Sequence, residues 1–414
     1  MELHIKNIAK IEKADIEING ITVIAGENNT GKSTIGKVLY CLYTAFHDLN
    51  SKIFEERYSS VAKALFGSYQ FQKSSDDLDI RLDKVTSLVD KILSSDSDEL
   101  ESILSRTDTV LDDALIKRIK HHLDLSEQEV AGLIIKKVFS KEFHEQVEPL
   151  YNTEDISEIE LVLQGTRSIL NITEGYQVEN IINLNHKCIV IDNPFIVDDM
   201  VDSPRKIWPI YGLIEENITH EEWLIKKLRM SLDENDYEDL IEQHYMEERL
   251  NKFKDYIIDI IGGDIAESDD EFVFHDNKLD KDLKLKNLSA GMKTFTILLK
   301  LLENGDIQDE FIIVLDEPEI HLHPSWQLKF AELLVLLQKE FNLNIVLATH
   351  SPYFMNALQV YSAKHEIADK TKYYLAELNE EGRAVFDDVT LDPERVYKLL
   401  AQPFQILADE EEQE

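Results

Sequence analysis

The order of apolar and polar positions predicts strands and a helix near the start of the chain. Residues 3–7 and 16–18 alternate, which indicates half-buried antiparallel strands, with a tight turn at 19–20. Residues 21–25 are almost continuously apolar, as expected of a central strand buried on both faces. Because apolar positions at helical spacing follow in residues 34–43, this strand is predicted to lead straight into a helix.

Two long segments in the middle of the chain have a helical pattern. Residues 48–180 and 205–262 are charged and alternate apolar with polar positions at helical spacing, and capping boxes at 126–129 and 219–222 mark helix starts. Between them, residues 187–192 form a short apolar run that predicts a strand. We expect helical insertions on both sides of that strand.

The last third of the chain alternates strand and helix patterns again. The predicted strands are 271–275, 283–285, 311–316, 344–349, 372–377 and 384–386. The predicted helices are 294–302, 325–340 and a short one at 394–400. Buried strands alternating with helices indicate an α/β fold.

Composition narrows the function classes. The 414 residues carry 43 − 81 = −38 charges, which disfavours DNA binding over most of the surface and leaves room for only a local basic groove. No apolar run approaches the ~18 residues of a membrane span, and the start lacks a signal-peptide pattern, so a cytoplasmic location is expected. Cys41 and Cys188 are interpreted as core residues, and the acidic end at 409–414 as a disordered tail.

The turn between the central strand and its helix has the chemistry of a phosphate site. Its sequence, GENNTGKS at 26–33, matches G-x-x-x-x-G-K-S, in which glycines let the backbone surround an anion at a helix N-terminus. Lys32 can reach the β- and γ-phosphates of a nucleotide, and the Ser33 hydroxyl is placed to bind Mg²⁺. The candidate nucleotide contacts are Gly26, Glu27, Asn28, Asn29, Thr30, Gly31, Lys32, Ser33 and Thr34.

Two adjacent carboxylates end the strand at 311–316. Asp316 is a candidate for holding Mg²⁺ together with Ser33, and Glu317 for the general base that activates water against a γ-phosphate. At the end of the strand at 344–349, His350 is a candidate γ-phosphate contact. A purely structural role for two adjacent carboxylates is disfavoured, because they would be expensive without a cation.

Three weaker signals complete the set of candidates. Ser289 with Gly291 opens a helix and provides a second anion-binding helix end. Asp192 and Asn193 follow the strand at 187–192, where they either sense Mg²⁺ and the attacking water or simply end the strand before a proline. The pair at 321 and 323 has the spacing of two metal-binding histidines, although a loop at a subunit contact is favoured.

Four ordered motifs together resemble a known ATPase cassette. GENNTGKS at 26–33, NLSAGMK at 287–293, VLDEPEIHLHP at 314–324 and ATHS at 348–351 resemble the ABC-type cassette in its non-transporter form. The similarity is greatest to OLD-family and related AAA/ABC-like ATPases of phage-defence systems, and SMC and recombination-mediator ATPases are more distant. The resemblance implies a mixed central sheet with helices, interrupted by helical insertions.

The resemblance implies a role for each motif. Residues 26–33 correspond to Walker A, Asp316 and Glu317 to Walker B, 288–293 to the signature, and His350 to the switch histidine. The cofactors implied are ATP and Mg²⁺, and the activity is hydrolysis of ATP to ADP and phosphate. Ala290 and Met292 depart from transporter-type signatures, and no clear glutamine loop is visible, which leaves Asp192 and Asn193 as candidates for it.

The resemblance also implies a domain division and partners. Residues 1–47, 186–200 and 265–400 would form the cassette, 48–185 and 201–264 helical blocks, and 401–414 an acidic tail. Two cassettes would meet head to tail, so that Ser289 and Gly291 of one subunit contact the γ-phosphate bound by the other. ATP would thus hold a homo-oligomer together.

The favoured function is an ATP-dependent switch that controls a separately encoded effector, a nuclease or a toxin, in antiphage defence. The 64 residues after His350 are too few for the Toprim nuclease domain that OLD proteins often carry. A DNA-associated repair or maintenance ATPase is the alternative, and a transporter cassette is the least favoured.

Overall fold

The computed structural model describes residues 1–68, 78–95, 99–105, 113–151, 155–184, 186–202, 218–229, 240–268 and 271–411. The strands in this part of the chain are β1 (Glu2–Ile8), β2 (Ile11–Glu17), β3 (Ile21–Gly26), β4 (Glu158–Leu163), β5 (Thr166–Asn171), β6 (Gln177–Glu179), β7 (Cys188–Ile191), β8 (Gly263–Ser268), β9 (Glu271–Asp276), β10 (Leu283–Lys284), β11 (Ile312–Asp316), β12 (Asn344–Thr349), β13 (Thr371–Leu378) and β14 (Ala384–Asp388).

The helices are α1 (Lys32–Phe46), α2 (Leu49–Ser68), α3 (Leu78–Leu93), α4 (Leu100–Ser105), α5 (Asp113–Asp124), α6 (Glu127–Glu142), α7 (Ile196–Asp202), α8 (His220–Arg229), α9 (Leu240–Ile261), α10 (Ala290–Glu303), α11 (Pro324–Phe341), α12 (Pro352–Lys364) and α13 (Glu394–Glu411). No helix in the described ranges is long and apolar enough to cross a membrane. The predicted capping boxes at α6 and α8 are both present.

A mixed sheet organises the protein. Its strand order is β6-β5-β4-β1-β2-β14-β13-β3-β12-β11-β7, and β8 to β10 form a separate small sheet. From β13 to β7 all neighbours are parallel, with Ile345 beside Ile21 on one side and beside Ile313 on the other. The carboxyl ends of β3, β12, β11 and β7 therefore meet at one edge, where parallel sheets commonly bind ligands.

Helices cover both faces of the parallel half of the sheet, as the apolar run in β3 predicts. Val23 and Ala25 belong to one core, shared with α9 to α12, and Ile24 belongs to a second core, shared with α1 and α6. All six residues of β3 are buried. The predicted α/β fold with a mixed central sheet is confirmed.

The expected tight turn at 19–20 does not join neighbouring strands. β14 and β13 lie between β2 and β3, so the chain crosses the sheet at this point. Gly20 has a φ of 79°, and a Cβ there would lie 2.4 Å from the Lys370 carbonyl oxygen. The reason is pairing: β3 is apolar on both faces and is stabilised by two parallel neighbours, which an antiparallel hairpin with β2 would not allow.

The helical segment predicted for 48–185 is wrong at residues 158–179. These residues form β4, β5 and β6, which extend the sheet beyond β1 by antiparallel pairing. Gln164 and Gly165 connect β4 to β5 with φ angles of 49° and 81°, the left-handed pair that a two-residue hairpin requires. The alternation of charged and apolar residues along 158–161 is the signal that the helical prediction missed.

Two further differences concern element ends. The short helix predicted at 394–400 is α13, which continues to Glu411, so residues 409–411 of the expected disordered tail are helical. Residues 412–414 of that tail, and 205–217 and 230–239 of the second helical block, lie outside the described residues. β8 was not predicted; it begins at Gly263, whose missing side chain lets the His275 carbonyl oxygen come within 2.1 Å of the position a Cβ would take.

Candidate functional site

The loop between β3 and α1 surrounds the buried side chain of Lys32 with its own backbone. The Lys32 ammonium donates to the carbonyl oxygens of Gly26 at 2.9 Å and Glu27 at 2.7 Å, and the side chain is almost fully buried. Burial lowers the pKa of Lys32, while the carboxylates of Glu317 and Asp316 oppose that shift. An ammonium in this position is directed at whatever occupies the loop.

The loop conformation depends on residues that accept positive φ. Gly31 is the N-cap of α1 with a φ of 81°, and Asn29 has a φ of 66°. No side chain caps the first N–H groups of α1, and the Thr30 hydroxyl instead donates to the Glu27 carbonyl oxygen at 2.8 Å. The helix end therefore presents backbone donors and a positive dipole toward the loop, which is the arrangement that binds phosphate.

Asp316 and Glu317 lie beside this loop at the end of β11. The Glu317 N–H donates to the Ala348 carbonyl oxygen at 2.8 Å, and the residue has a φ of 48°. A left-handed conformation is costly for a residue with a side chain, so the neighbouring strand must hold it. The Glu317 Oε1 lies 3.9 Å from the Lys32 Nζ and 3.2 Å from the His350 Nδ1.

The surroundings of Asp316 fit a cation. Burial raises the pKa of Asp316, and a hydrogen bond from Ser33 opposes the shift. The Oδ1 atom of Asp316 is buried without a hydrogen-bond partner. A buried, unsatisfied carboxylate oxygen next to a serine hydroxyl is the oxygen donor set that Mg²⁺ prefers, so these two residues fit that ion.

The end of β12 is tied to the segment after β11 by a buried acid. Glu319 is 1% exposed, and its Oε1 accepts from the Thr349 hydroxyl and, at 3.3 Å, from the His350 N–H. Burial raises the pKa of Glu319. The His350 backbone is thereby fixed, while its ring is 39% exposed and lies at the edge of the site beside Glu317.

Ser289 and Gly291 lie at the start of α10 as predicted, with the Ser289 hydroxyl accepting the Met292 N–H at 3.3 Å. A Cβ at Gly291 would lie 2.9 Å from the His321 carbonyl oxygen, so this glycine lets α10 approach the loop after Glu317. Within the described ranges, no hydrogen bond or ion pair joins Ser289 or Gly291 to residues 26–34. The structure therefore brings Lys32, Ser33, Asp316, Glu317 and His350 together, and in the described part of the chain this pair is not bonded to the phosphate loop.

Asp192 reaches the same edge from β7. It lines one cavity together with Lys32, Ser33 and Asp316. Asn193 instead bonds locally, since its side-chain oxygen accepts the Phe195 N–H at 2.9 Å. Asp192 thus lies at the site, and Asn193, although its side chain bonds within the turn, lines a neighbouring cavity together with Asp316 and Glu317.

Sequence reasoning missed two residues that contact Asp192 directly or through one neighbour. His220 lies between Asp192 and Glu142, with its Nε2 2.9 Å from the Asp192 Oδ2 and its Nδ1 2.6 Å from the Glu142 Oε1. Burial alone would lower the pKa of His220, but the two carboxylates raise it to about 9. Because residues 219–222 are interpreted from the sequence only as a capping box, no local pattern assigns His220 a role at the site.

The two histidines at 321 and 323 and the two cysteines make packing or capping contacts. His323 caps α11 through its Nδ1, and His321 packs edge-on against Phe195 at 5.6 Å. In the described part of the chain, the cluster that could hold a metal by geometry is Asp192, His220 and Glu221, and it does not include that pair. Cys41 and Cys188 are buried free thiols, as predicted.

Comparison with known structures gives weak global similarity. The SMC head domain from Thermotoga maritima is 13% identical, with a TM-score of 0.41 over 94% of this chain and 98% of that one. The SMC head with the C-terminal domain of ScpA derived from Pyrococcus furiosus is 12% identical, with a TM-score of 0.39 over 97% and 98%. A dimeric ATP-binding cassette bound to ADP and phosphate is 9% identical, with a TM-score of 0.34 over 94% and 98%.

A comparison of the sequence with protein families covers most of the chain. The match is to the AAA ATPase domain and extends over residues 1–355, which includes the loop at 26–33, Ser289, both carboxylates after β11 and His350. The span also contains both helical blocks that separate these motifs. The chain belongs to the AAA ATPase domain family.

Proposed function

We propose that the protein binds ATP with Mg²⁺ at the edge formed by β3, β11 and β12 and hydrolyses it. The observation that carries this proposal is the convergence of Lys32, Glu317 and His350, with Glu317 3.9 Å from the lysine and 3.2 Å from the histidine. The three residues come from segments up to 318 positions apart. A structural requirement alone would not gather an ammonium, a strained carboxylate and an imidazole around a phosphate-binding loop.

The chemistry assigns one role to each group. Residues 26–34 hold the phosphates through backbone N–H groups, and Lys32 exchanges its carbonyl partners for phosphate oxygens. Glu317 accepts a proton from the attacking water as the bond to the γ-phosphorus forms, and the ADP oxygen leaves on the opposite side. His350 contacts the γ-phosphate. Ser33 and Asp316 would hold Mg²⁺, which neutralises charge on the phosphates.

The site is proposed to be completed by a second copy of the chain. Support comes from α10, whose residues Ser289 and Gly291 make no hydrogen bond or ion pair with residues 26–34 among the described residues, although Ser289 caps the helix. Pairing head to tail would place Ser289 and Gly291 at the partner's γ-phosphate. ATP would then stabilise the pair and hydrolysis would release it, as for any ligand that binds the associated form alone.

Control of a separate nuclease or toxin in antiphage defence is the finer part of the proposal. It rests on the resemblance of the four motifs to OLD-family and related ATPases. Purification of a hydrolysis-deficient variant with ATP, followed by mass spectrometry, is expected to recover one effector protein in a fixed ratio. Recovery of DNA instead, with retention that falls steeply with salt, would favour the DNA-associated alternative.

Glu317→Gln tests the ATPase itself. An amide cannot accept the proton of the attacking water, so kcat is expected to fall by roughly 100-fold or more, while ATP binding persists. Phosphate release and calorimetric ATP binding are measured on the same preparation. Glu310→Gln, a change in the loop before β11 and away from the site, is the matched control. Unchanged turnover in Glu317→Gln would refute the assignment of the base.

A further inference from the structure

Three buried or half-buried polar side chains, joined by hydrogen bonds, connect the nucleotide site to the helical segments. Glu142 ends α6, His220 begins α8 and Asp192 follows β7, and the imidazole joins the two carboxylates at 2.6 Å and 2.9 Å. Glu142 is 2% exposed and His220 is 4% exposed. Groups so deeply buried are held by their mutual hydrogen bonds and not by water.

The imidazole has little freedom to move. Its backbone N–H donates to the other Glu142 oxygen at 3.1 Å, and the Tyr40 ring packs edge-on against it at 5.8 Å. The Tyr40 hydroxyl also donates to the Ile218 carbonyl oxygen at 3.0 Å, just before α8 begins. Because both ring nitrogens are engaged, any rotation of the ring breaks at least one bond to a carboxylate.

Asp192, at the other end of this row of hydrogen-bonded side chains, lies in the nucleotide site. Asp192 lines the cavity that also contains Lys32, Ser33 and Asp316, so its carboxylate faces the groups assigned to the phosphates and to Mg²⁺. Its side chain is 26% exposed, and the contact to His220 restricts its orientation. A displacement of α6 or α8 would therefore reach the site through one side chain.

We propose that His220 is a positioning residue that holds the Asp192 carboxylate at the nucleotide site, and that Glu142 extends this link into α6. This inference rests on the proposed function, because it assigns the helical segments a means of regulating ATP turnover. ATP itself is held by the loop at 26–34, so loss of the link should impair turnover more than binding. In the opposite direction, nucleotide binding should restrain α6 and α8.

Two substitutions of His220 separate positioning from structural support. In His220→Gln the amide nitrogen can take the place of Nε2 and keep the bond to Asp192, whereas in His220→Asn it takes the place of Nδ1 and can reach only Glu142. The Asn variant is expected to lose roughly 10- to 100-fold in kcat with little change in KM, as other outer supporting residues do. The Gln variant is expected to keep most of the wild-type kcat.

A second measurement does not depend on turnover. Addition of ATP and Mg²⁺ is expected to slow backbone hydrogen exchange in α6 and α8 of the wild type, and this protection should disappear in His220→Asn. His365→Gln is the matched control, because His365, the C-cap residue of α12, also contacts a carboxylate, that of Glu332 in α11 at 3.2 Å, and neither residue bonds to His220, Asp192 or Glu142 in the described part of the chain. It is expected to behave as the wild type in both measurements.

The outcomes distinguish the link from the ATPase. Equal kcat in the Gln and Asn variants, or a change in KM without one in kcat, would overturn the link while leaving the ATPase proposal intact. If the wild type binds ATP without hydrolysing it, the ATPase proposal fails, and hydrogen exchange still decides whether α6 responds to nucleotide. If neither variant folds, Glu142→Gln carries the same tests, and a wild-type kcat together with wild-type exchange protection in that variant would overturn the link.

Discussion

Lys32 keeps an ammonium inside the protein by bonding to two backbone carbonyl oxygens of its own loop. Hydrogen bonds to charged groups contribute about 1.5–3 kcal/mol each, so Lys32→Ala should weaken ATP binding by roughly 10- to 100-fold per lost phosphate contact. Calorimetric titration measures this affinity. Lys63→Ala, on the exposed surface of α2, is the control, and ATP affinity equal to that of the control would contradict the phosphate-loop assignment.

His220 should make stability depend on pH in a defined window. Its pKa is raised from 6.5 to about 9 by Asp192 and Glu142, with Tyr40 packed against the ring. A raised pKa stabilises the fold fully below the unfolded value of 6.5, and this contribution is lost as pH rises through 9. At about 1.36 kcal/mol for each pH unit, the loss is on the order of 3 kcal/mol.

Urea unfolding at pH 6, 7.5 and 9 measures this effect as the difference between the wild type and His220→Gln. The difference should be largest at the lowest of the three values and shrink steadily, because the Gln side chain carries no titrating proton. A difference that grows with pH would show that His220 is neutral in the folded protein.

The sequence could predict residues whose chemistry is visible within a few positions. Lys32 and Glu317 each lie in a short motif with a strand on one side, and both reach the site. Glu142 could not be assigned, because its partner is 78 positions away and no local pattern connects them. Burial of a charged residue depends on which helix packs over it, and that is decided by the tertiary fold.

Helix α6 packs closely against the edge of the sheet at Gly132. A Cβ added there would lie 2.4 Å from the Tyr176 carbonyl oxygen, just before β6. Replacing glycine by alanine in an open helix stabilises it by about 1 kcal/mol, but the close backbone contact reverses the sign here. Gly132→Ala should lower the free energy of unfolding by about 1–3 kcal/mol through overpacking.

Thermal or urea unfolding measures the Gly132→Ala effect, and Leu133→Ala, one position along α6 with a side chain that is 55% exposed, is the control. Gly132→Ala should be clearly less stable than this control. Stabilisation of the Ala variant would mean that α6 and the segment before β6 are farther apart in solution.

At the level of elements, long apolar runs were predictable and short charged strands were not. β11 and β12 are buried along almost their whole length, as expected of strands covered by helices on both faces of a parallel sheet. β4 carries two partly buried glutamates, Glu158 and Glu160, and pairs with β1 and β5. Short strands with charged residues depend on partners that the local sequence does not reveal.

At the level of the whole molecule, the order of the strands in the sheet could not be predicted from the sequence. Ile21 pairs in parallel with Ile345 and with Thr371, so the centre of the sheet is built from segments more than 300 positions apart. Residues of α2 to α5 form a third, separate core, which includes Leu65, Val89 and Ile119. Helical periodicity predicted these helices but could not show that they pack chiefly on one another.

The proposed pairing of two chains can be tested with two inactive variants. Lys32→Ala removes the phosphate contact, and Ser289→Asp keeps the helix cap of α10 but places a negative charge where the partner's γ-phosphate would lie. Each variant alone should hydrolyse almost no ATP. In a mixed pair, the intact loop of one subunit faces the intact Ser289 of the other.

Mixing equal amounts should therefore restore turnover, to about a quarter of the wild-type rate if subunits exchange at random and each composite site acts alone. Ser289→Asn, which caps α10 without adding charge, should retain more activity by itself than Ser289→Asp. Mixing Lys32→Ala with the double variant Lys32→Ala/Ser289→Asp should restore nothing, since neither chain supplies an intact loop. Absence of recovery in the first mixture, with both variants folded, would show that each chain completes its own site.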